Sequence, residues 1–353
     1  MKIQKITSNQ QYYNKIAYFF QHNNCKAMKN VILYSKSMVG EDMIFFIIAV
    51  SIVILFLLAV FVFFFYTFVR KKKESRVIFK NGDEGYFGEF YKYIREGADY
   101  IMSQKYEEHS IKSYDGLTLY AKYLKNGDSK KTVMLFHGYR SCGEKDFSGS
   151  FKYYVESGFN VLLVDQRAHE NSEGKIITFG VKESRDVISW LDYLLKTYGD
   201  DKEIFIIGLS MGAATVLFST RFEMPDNVKG IIADCGFDSP ERIIRKVAKQ
   251  NFRINGFLLM PALNVLCKLF GKFSVYEVTA EDALKKFDRP VLFIHGTGDD
   301  FVPYEMSVHS FEAANEPKFI CLVDNAMHGM SYLVDTPKVQ KAFSNFIKYC
   351  QNR

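Results

Sequence analysis

The residue patterns that mark metal and nucleotide proteins are missing from this sequence. Its 353 residues hold six scattered cysteines, Cys25, Cys142, Cys235, Cys267, Cys321 and Cys350, with no C-x-x-C pair. No Cys/His spacing suits zinc, so neither a metal centre nor a disulfide framework is expected. Lone thiols in a chain of this size read as small buried side chains, which fits a reducing compartment. No H-E-x-x-H, Walker or G-x-G-x-x-G motif stands in a suitable context, so no cofactor is expected. Internal repeats and low-complexity segments are also lacking. The hydrophobic share of 48% excludes a disordered or fibrous chain.

Basic charge is missing from the body of the chain. Residues 1–80 carry 12 Lys/Arg against three acids, a balance of +9, while the chain as a whole carries +6. The remaining residues therefore sum to −3, and a nucleic-acid footprint on the body is not expected.

Charge of either sign is missing from Met43–Val69, "MIFFIIAVSIVILFLLAVFVFFFYTFV". About 20 apolar residues cross a bilayer core as a helix, and this run is too long and too aromatic for a cleaved signal peptide. A transmembrane helix over 43–69 is expected. Arg70, Lys71, Lys72, Lys73, Arg76 and Lys80 follow it, whereas Lys26, Lys29 and Lys36 precede it beside Glu41 and Asp42. The denser cluster favours the cytoplasmic side, so the body is expected in the cytosol. Residues 1–42 read as a polar tail without pattern, with Met38 and Met43 as alternative starts. Residues 70–105 read as a basic juxtamembrane linker with a helix over Gly85–Gln104.

The body, 106–353, begins with "HSIKSYDGLTLYAKYL", two alternating runs joined by Asp115-Gly116, which predicts a hairpin. Six short apolar runs follow, at 132–136, 160–164, 204–207, 230–233, 290–294 and 319–323, separated mostly by helix-length segments such as 181–198 and 336–349. This alternation predicts a mostly parallel sheet of about eight strands with helices on both faces. Residues 237–287 interrupt the rhythm and contain "INGFLLMPALNVLCKLF". Insertions of this length often form lids. The apolar stripe either packs a small helical cap, its commoner use, or lines an acyl-chain pocket.

The stretch "IFIIGLSMGAATVLF" holds the chemistry. Gly208-Leu209-Ser210-Met211-Gly212 fits G-x-S-x-G on a strand-to-helix turn, which places a strained serine at the sheet top. Side chains at Gly208 or Gly212 would collide with the adjoining strand and helix, and the helix N-terminus favours developing negative charge. A serine nucleophile needs a base held by a third group, in the order Ser, acid, His. His295, His309 and His328 follow Ser210; His295 sits at a strand end, His309 in a predicted helix, and His328 in the loop "DNAMHGMSY". His328 is the expected base. Asp299 and Asp300 in "HGTGDDFVP" are both available as the acid. The backbone N–H groups of Met211 and Tyr139 are the expected oxyanion donors, Gly138 letting the loop "HGYRSC" turn inward. His137 reads as structural, and His169 as a brace of its own loop.

Taken together, "YDGLTLYAKY", "LFHGY", "VDQRAHENS", "GLSMG", "HGTGDDFVP" and "MHG" resemble the α/β-hydrolase superfamily, over roughly Tyr106–Lys348. They are most similar to bacterial membrane-tethered serine hydrolases of the serine-aminopeptidase and prolyl-oligopeptidase-like branches. The resemblance implies the α/β-hydrolase fold and selects Asp299 as the acid, giving Ser210, Asp299 and His328. It departs from the family loop D-x-R-G-x-G-x-S, since Ala168-His169-Glu170 follows Arg167. It implies a membrane-anchored serine hydrolase acting on an ester, thioester or amide of a small-molecule or lipid-like acyl substrate, with esters the default. An aminopeptidase-like amidase and a catalytically silent binding module are the alternatives.

Overall fold

The computed structural model describes residues 26–70, 79 and 82–353. The cations Lys71, Lys72, Lys73, Arg76 and Lys80 and the tail 1–25 lie outside them, as does Cys25. Two compact units divide the chain, Met1–Ala59 and Val60–Arg353.

In the first unit lies most of helix α1, Lys26–Phe68. The tail expected to be patternless over 1–42 is thus helical from Lys26. Helix formation is cooperative, so an apolar helix once nucleated extends into neighbouring residues that tolerate it. Over Asp42–Phe68 the helix is long and apolar enough to cross a membrane, and large side chains such as Phe45, Phe46 and Leu55 are exposed.

The last nine residues of α1 belong to the second unit, where Val60, Phe63, Phe64 and Phe68 are buried. The final residues of the apolar run expected over Met43–Val69 thus pack within the second unit. Its last carbonyls, which lack intrahelical donors, are met by the body. Tyr139 Oη donates to Thr67 O at 2.7 Å, and the Arg140 guanidinium to Tyr66 O and, at 3.0 Å, to Val69 O.

After α1 come α2 (Asp83–Phe87) and α3 (Tyr91–Ser103), close to the helix expected over Gly85–Gln104. The hairpin is β1 (Glu107–Lys112) and β2 (Thr118–Leu124), paired antiparallel, with Gly116 at φ +89° in its turn. The remaining strands are β3 (Lys131–Phe136), β4 (Asn160–Asp165), β5 (Glu203–Leu209), β6 (Val228–Asp234), β7 (Val291–Gly296) and β8 (Lys318–Val323). They form one eight-stranded sheet, ordered β1-β2-β4-β3-β5-β6-β7-β8 and parallel from β4 to β8. The reversal between β3 and β4 places β5 at the centre, so its C-terminal end lies where ligands bind in such sheets.

Four longer helices, α4 (Glu183–Tyr198), α5 (Met211–Ser219), α8 (Tyr304–Ala313) and α9 (Thr336–Gln351), follow strands of the sheet. The insertion supplies α6 (Pro240–Phe252) and α7 (Gly256–Leu266), the latter running on through a wide turn at Cys267–Gly271. Both faces of β4 are buried, as its unbroken apolar run requires. Five cysteines are buried free thiols. At the end of β4, Arg167 is 2% exposed and reaches Asp186 of α4 at 2.6 Å and Asp115 of the hairpin turn at 3.0 Å, joining three elements.

Candidate active site

Ser210 sits between β5 and α5 with φ 57° and ψ −117°. This is a strained conformation for a residue with a side chain. Close packing imposes it. A Cβ at Gly208 would strike the Gly212 backbone, and one at Gly212 would strike the carbonyl of Phe136 at the end of β3. Ser210 N–H donates to Asp234 O at 2.8 Å, pinning the turn to β6.

The three residues expected to act together do meet. His328 Nε2 lies 2.9 Å from Ser210 Oγ, and His328 Nδ1 lies 2.6 Å from Asp299 Oδ2. A proton on Nδ1 donated to the carboxylate leaves the Nε2 lone pair facing the serine hydroxyl. Burial alone would raise the Asp299 pKa, but hydrogen bonds from His295 and His328 outweigh it and hold the carboxyl well below its ordinary range. Its other oxygen accepts from Phe301 N at 3.0 Å and Val302 N at 2.8 Å. Asp300, the competing candidate, is exposed and forms none of these bonds to His328.

His295 has a part that its sequence position did not disclose. It is fully buried, with Nε2 3.0 Å from Asp299 Oδ2 and Nδ1 2.7 Å from Ser307 Oγ. It holds the acid in place from behind, while His309 stands 3.6 Å from Asp238 and away from the serine. The sequence carried a weak signal for this, since His295, near the end of β7, stands four residues before Asp299.

Of the two expected oxyanion donors, one follows Ser210 directly and the other lies on a loop that lines the same cavity. Met211 N–H heads α5, where it has no intrahelical acceptor. The loop bearing Tyr139 is fixed from both sides. Gly138 N–H donates to Asp146 Oδ2 at 2.6 Å, and Arg140 N–H donates to His169 Nε2 at 2.9 Å. His169 Nδ1 pairs with Arg167 O at 2.9 Å. Burial pushes the His169 pKa well below its ordinary value, so the neutral ring braces this loop from a neighbouring one. His137 is buried and bonded to Gly138 O and to the Gln166 N–H, a structural position.

A cavity of about 480 Å3 opens at Ser210 and is lined by Tyr139, Leu209, Asp234 and His328. Its far wall is α2, with Tyr86 and Phe87. Tyr86 Oη donates to the carbonyl of His328 at 2.8 Å, and burial, ahead of the nearby Asp299, raises its pKa so that the phenol stays protonated. Lining of the pocket by the 237–287 insertion was the less common of the two uses open to its apolar stripe. No residue of 237–287 lines this cavity, and α2 stands there.

Cys235 Sγ, an Asp299 oxygen and a His328 nitrogen lie within 4.8 Å of one another. Burial drives the Cys235 pKa well above its ordinary value. Metals take up the thiolate form, and the other two side chains are already bonded to each other, so this donor set fits a metal poorly.

Residues 131–257 match the family model of the α/β-hydrolase fold. The chain has the α/β-hydrolase fold. The YqkD protein of Bacillus subtilis (strain 168), itself uncharacterised, is 27% identical over 285 residues, 79% of this chain and 88% of the relative. An esterase of Pyrococcus furiosus, Pf2001, is 23% identical, with 71% of this chain and 93% of the esterase covered at a TM-score of 0.58. Est1E of Butyrivibrio proteoclasticus, solved with ferulic acid bound, is 19% identical and covers 69% of this chain and all of its own at 0.51. The α/β-hydrolase superfamily resemblance in the sequence thus holds, and these likenesses do not choose among its branches.

Proposed function

We propose that this α/β-hydrolase-fold protein is a membrane-anchored serine hydrolase that cleaves a carboxylic ester. The observation that carries the reading is the continuous hydrogen-bond chain Ser210–His328–Asp299, at 2.9 and 2.6 Å, on a strained turn that opens into a cavity. Ser210 Oγ attacks the acyl carbonyl as His328 Nε2 takes its proton. Negative charge on the carbonyl oxygen is met by the N–H groups of Met211 and Tyr139. His328 then protonates the leaving alcohol, and water, activated by the same nitrogen, releases the acyl group. Asp299 keeps Nδ1 protonated and stabilises the imidazolium. The apolar helix supports anchoring through 42–68, and the basic run after Val69 supports a cytoplasmic body.

A fluorophosphonate probe tests this. The full chain should be labelled in a Ser210-dependent manner and should turn over a short aryl ester; absence of labelling on folded protein defeats the proposal.

One observation favours an amidase reading. Asp234 lines the same cavity, and one of its carboxyl oxygens is sealed from solvent without a hydrogen-bond partner. Burial, opposed by His295, pushes its pKa up to about 7. Below that pH the carboxyl is neutral; above it an anion is available to hold a substrate ammonium. On an aminoacyl arylamide, KM should therefore fall as pH rises through about 7, and Asp234→Asn should flatten that dependence. A KM that does not change across this range in wild type leaves the ester reading alone.

A further inference from the structure

The insertion presents an outer face unlike the rest of the body. On α7 and the turn after it, Phe257, Leu258, Pro261, Val265 and Leu269 point outward, at the spacing of one helical face. Phe257 is 75% exposed, Leu258 64% and Leu269 68%. The inward face, Leu259, Met260, Leu263 and Cys267, is apolar as well. A helix that is apolar all round belongs in a core or in lipid, and so large an exposed apolar patch marks an interaction surface.

The patch continues onto the end of α1. Phe252 packs 5.5 Å from Phe63 and 5.8 Å from Tyr66, and Phe270 packs 5.6 Å from Phe64 and 6.3 Å from Phe61 and Phe65. Val62, Phe65 and Tyr66 are exposed there. Residues 42–59 alone extend about 27 Å as a helix, close to the thickness of a hydrocarbon core. Residues 42–59, long enough by themselves, thus end in the sequence where this aromatic cluster begins. Charge agrees: residues 245–272 hold six Lys/Arg and no Asp/Glu, and Lys249, Arg253, Lys268 and Lys272 are exposed. Apolar side chains edged by cations suit the headgroup boundary of an anionic leaflet.

We infer that the outer face of α7, with Phe252 and Phe270, is seated in the lipid surface beside the anchor, so that the hydrolase works against the bilayer on acyl esters that reside in it. This rests on the serine-hydrolase reading above. The catalytic cavity adjoins the same region, because Tyr139 and Arg140, which line it, are bonded to the carbonyls of Tyr66, Thr67 and Val69. Ester held at the lipid surface on this face would lie close to the cavity of Ser210.

The test uses the full chain in phosphatidylcholine/phosphatidylglycerol vesicles. Native Trp190 is fully buried and serves as the background. Phe257→Trp should be quenched by lipids brominated on their acyl chains, at least about twofold more than Tyr349→Trp on α9, as interfacial burial requires. Equal quenching at the two positions overturns the inference, and so does protection of residue 257 by a second copy of the chain, seen as cross-linked dimers without quenching. In the same vesicles, Phe257→Glu with Leu258→Glu should leave turnover of a soluble short aryl ester unchanged. It should lower turnover of a bilayer-embedded long-chain ester about tenfold, from lost interfacial binding. An equal loss on both substrates also overturns the inference. If wild type hydrolyses neither ester while residue 257 is quenched, the hydrolase reading fails and the lipid surface stands.

Discussion

Ser210→Ala and His328→Ala are each expected to lower kcat on a short aryl ester about 10^4-fold or more, without unfolding the protein. In the proposed mechanism the two groups act as one unit. Without the imidazole, the hydroxyl is a weak nucleophile; without the hydroxyl, the imidazole has only water to activate. The double variant should therefore be no worse than either single one, because such effects do not add. Steady-state kinetics on matched preparations, with circular dichroism showing the native fold, reads this out. A single variant that keeps a tenth of the activity would remove the proposed nucleophile or base. His295→Ala should cost less, since Asp299 keeps its bonds from Phe301 N, Val302 N and His328. Its effect should appear in kcat and not in KM, as for a residue that acts by positioning another.

The second large effect is on stability. Arg167→Leu is expected to destabilise the body by about 3–5 kcal/mol, the usual cost of removing one partner from a buried charge cluster. Two acids lose the guanidinium at once: Asp186, which pairs with it through both oxygens at 2.6 Å, and Asp115 at 3.0 and 3.1 Å, which keeps Lys182 at 3.5 Å. The pH dependence has a definite sign. Burial already pushes Asp186 up to about 6 despite Arg167. In Arg167→Leu its folded pKa rises further above the unfolded value, so the folded state binds a proton more tightly than the unfolded one. Stability is then lost as pH rises, and the deficit should be larger at pH 8 than at pH 5. Asp115 adds to the deficit about equally at both pH values, because it titrates below pH 5. Burial opposes its ionisation, but Arg167 holds it down at about 2, and the stability this gives at neutral pH goes with the arginine. Denaturant midpoints at the two pH values check the prediction. A deficit that is the same at both would mean that ionisation of Asp186 does not contribute to it.

Much of the site was legible because it rests on short-range constraints. Gly208 and Gly212 could be read as elbow glycines, since backbone packs where their side chains would be. The Asp115-Gly116 hairpin and the alternation of apolar runs with helical segments likewise follow from local turn chemistry and period. Asp299 needed more: spacing left two adjacent aspartates open, and the family pattern chose between them before the structure brought one of them to His328. His295 was read as a strand-end residue because nothing in one dimension shows that its ring turns back to the carboxylate four residues on. The insertion could be recognised by length, but the face of α7 left uncovered depended on what α6 and the sheet occupied first.

By itself the sequence determined the α/β architecture, the strained serine, the order in which Asp299 and His328 follow it, and an apolar helix ahead of the body. These are properties of neighbours in the chain, set by backbone sterics, side-chain period and the number of residues an element needs. Only the tertiary structure decided what surrounds the serine. It brought α2 against the cavity, with Tyr86 bonded to His328, and set the end of α1 among Phe252, Phe270 and the loop of Tyr139 and Arg140. Those contacts join residues far apart in sequence, and which surfaces meet depends on the packing of every element between them.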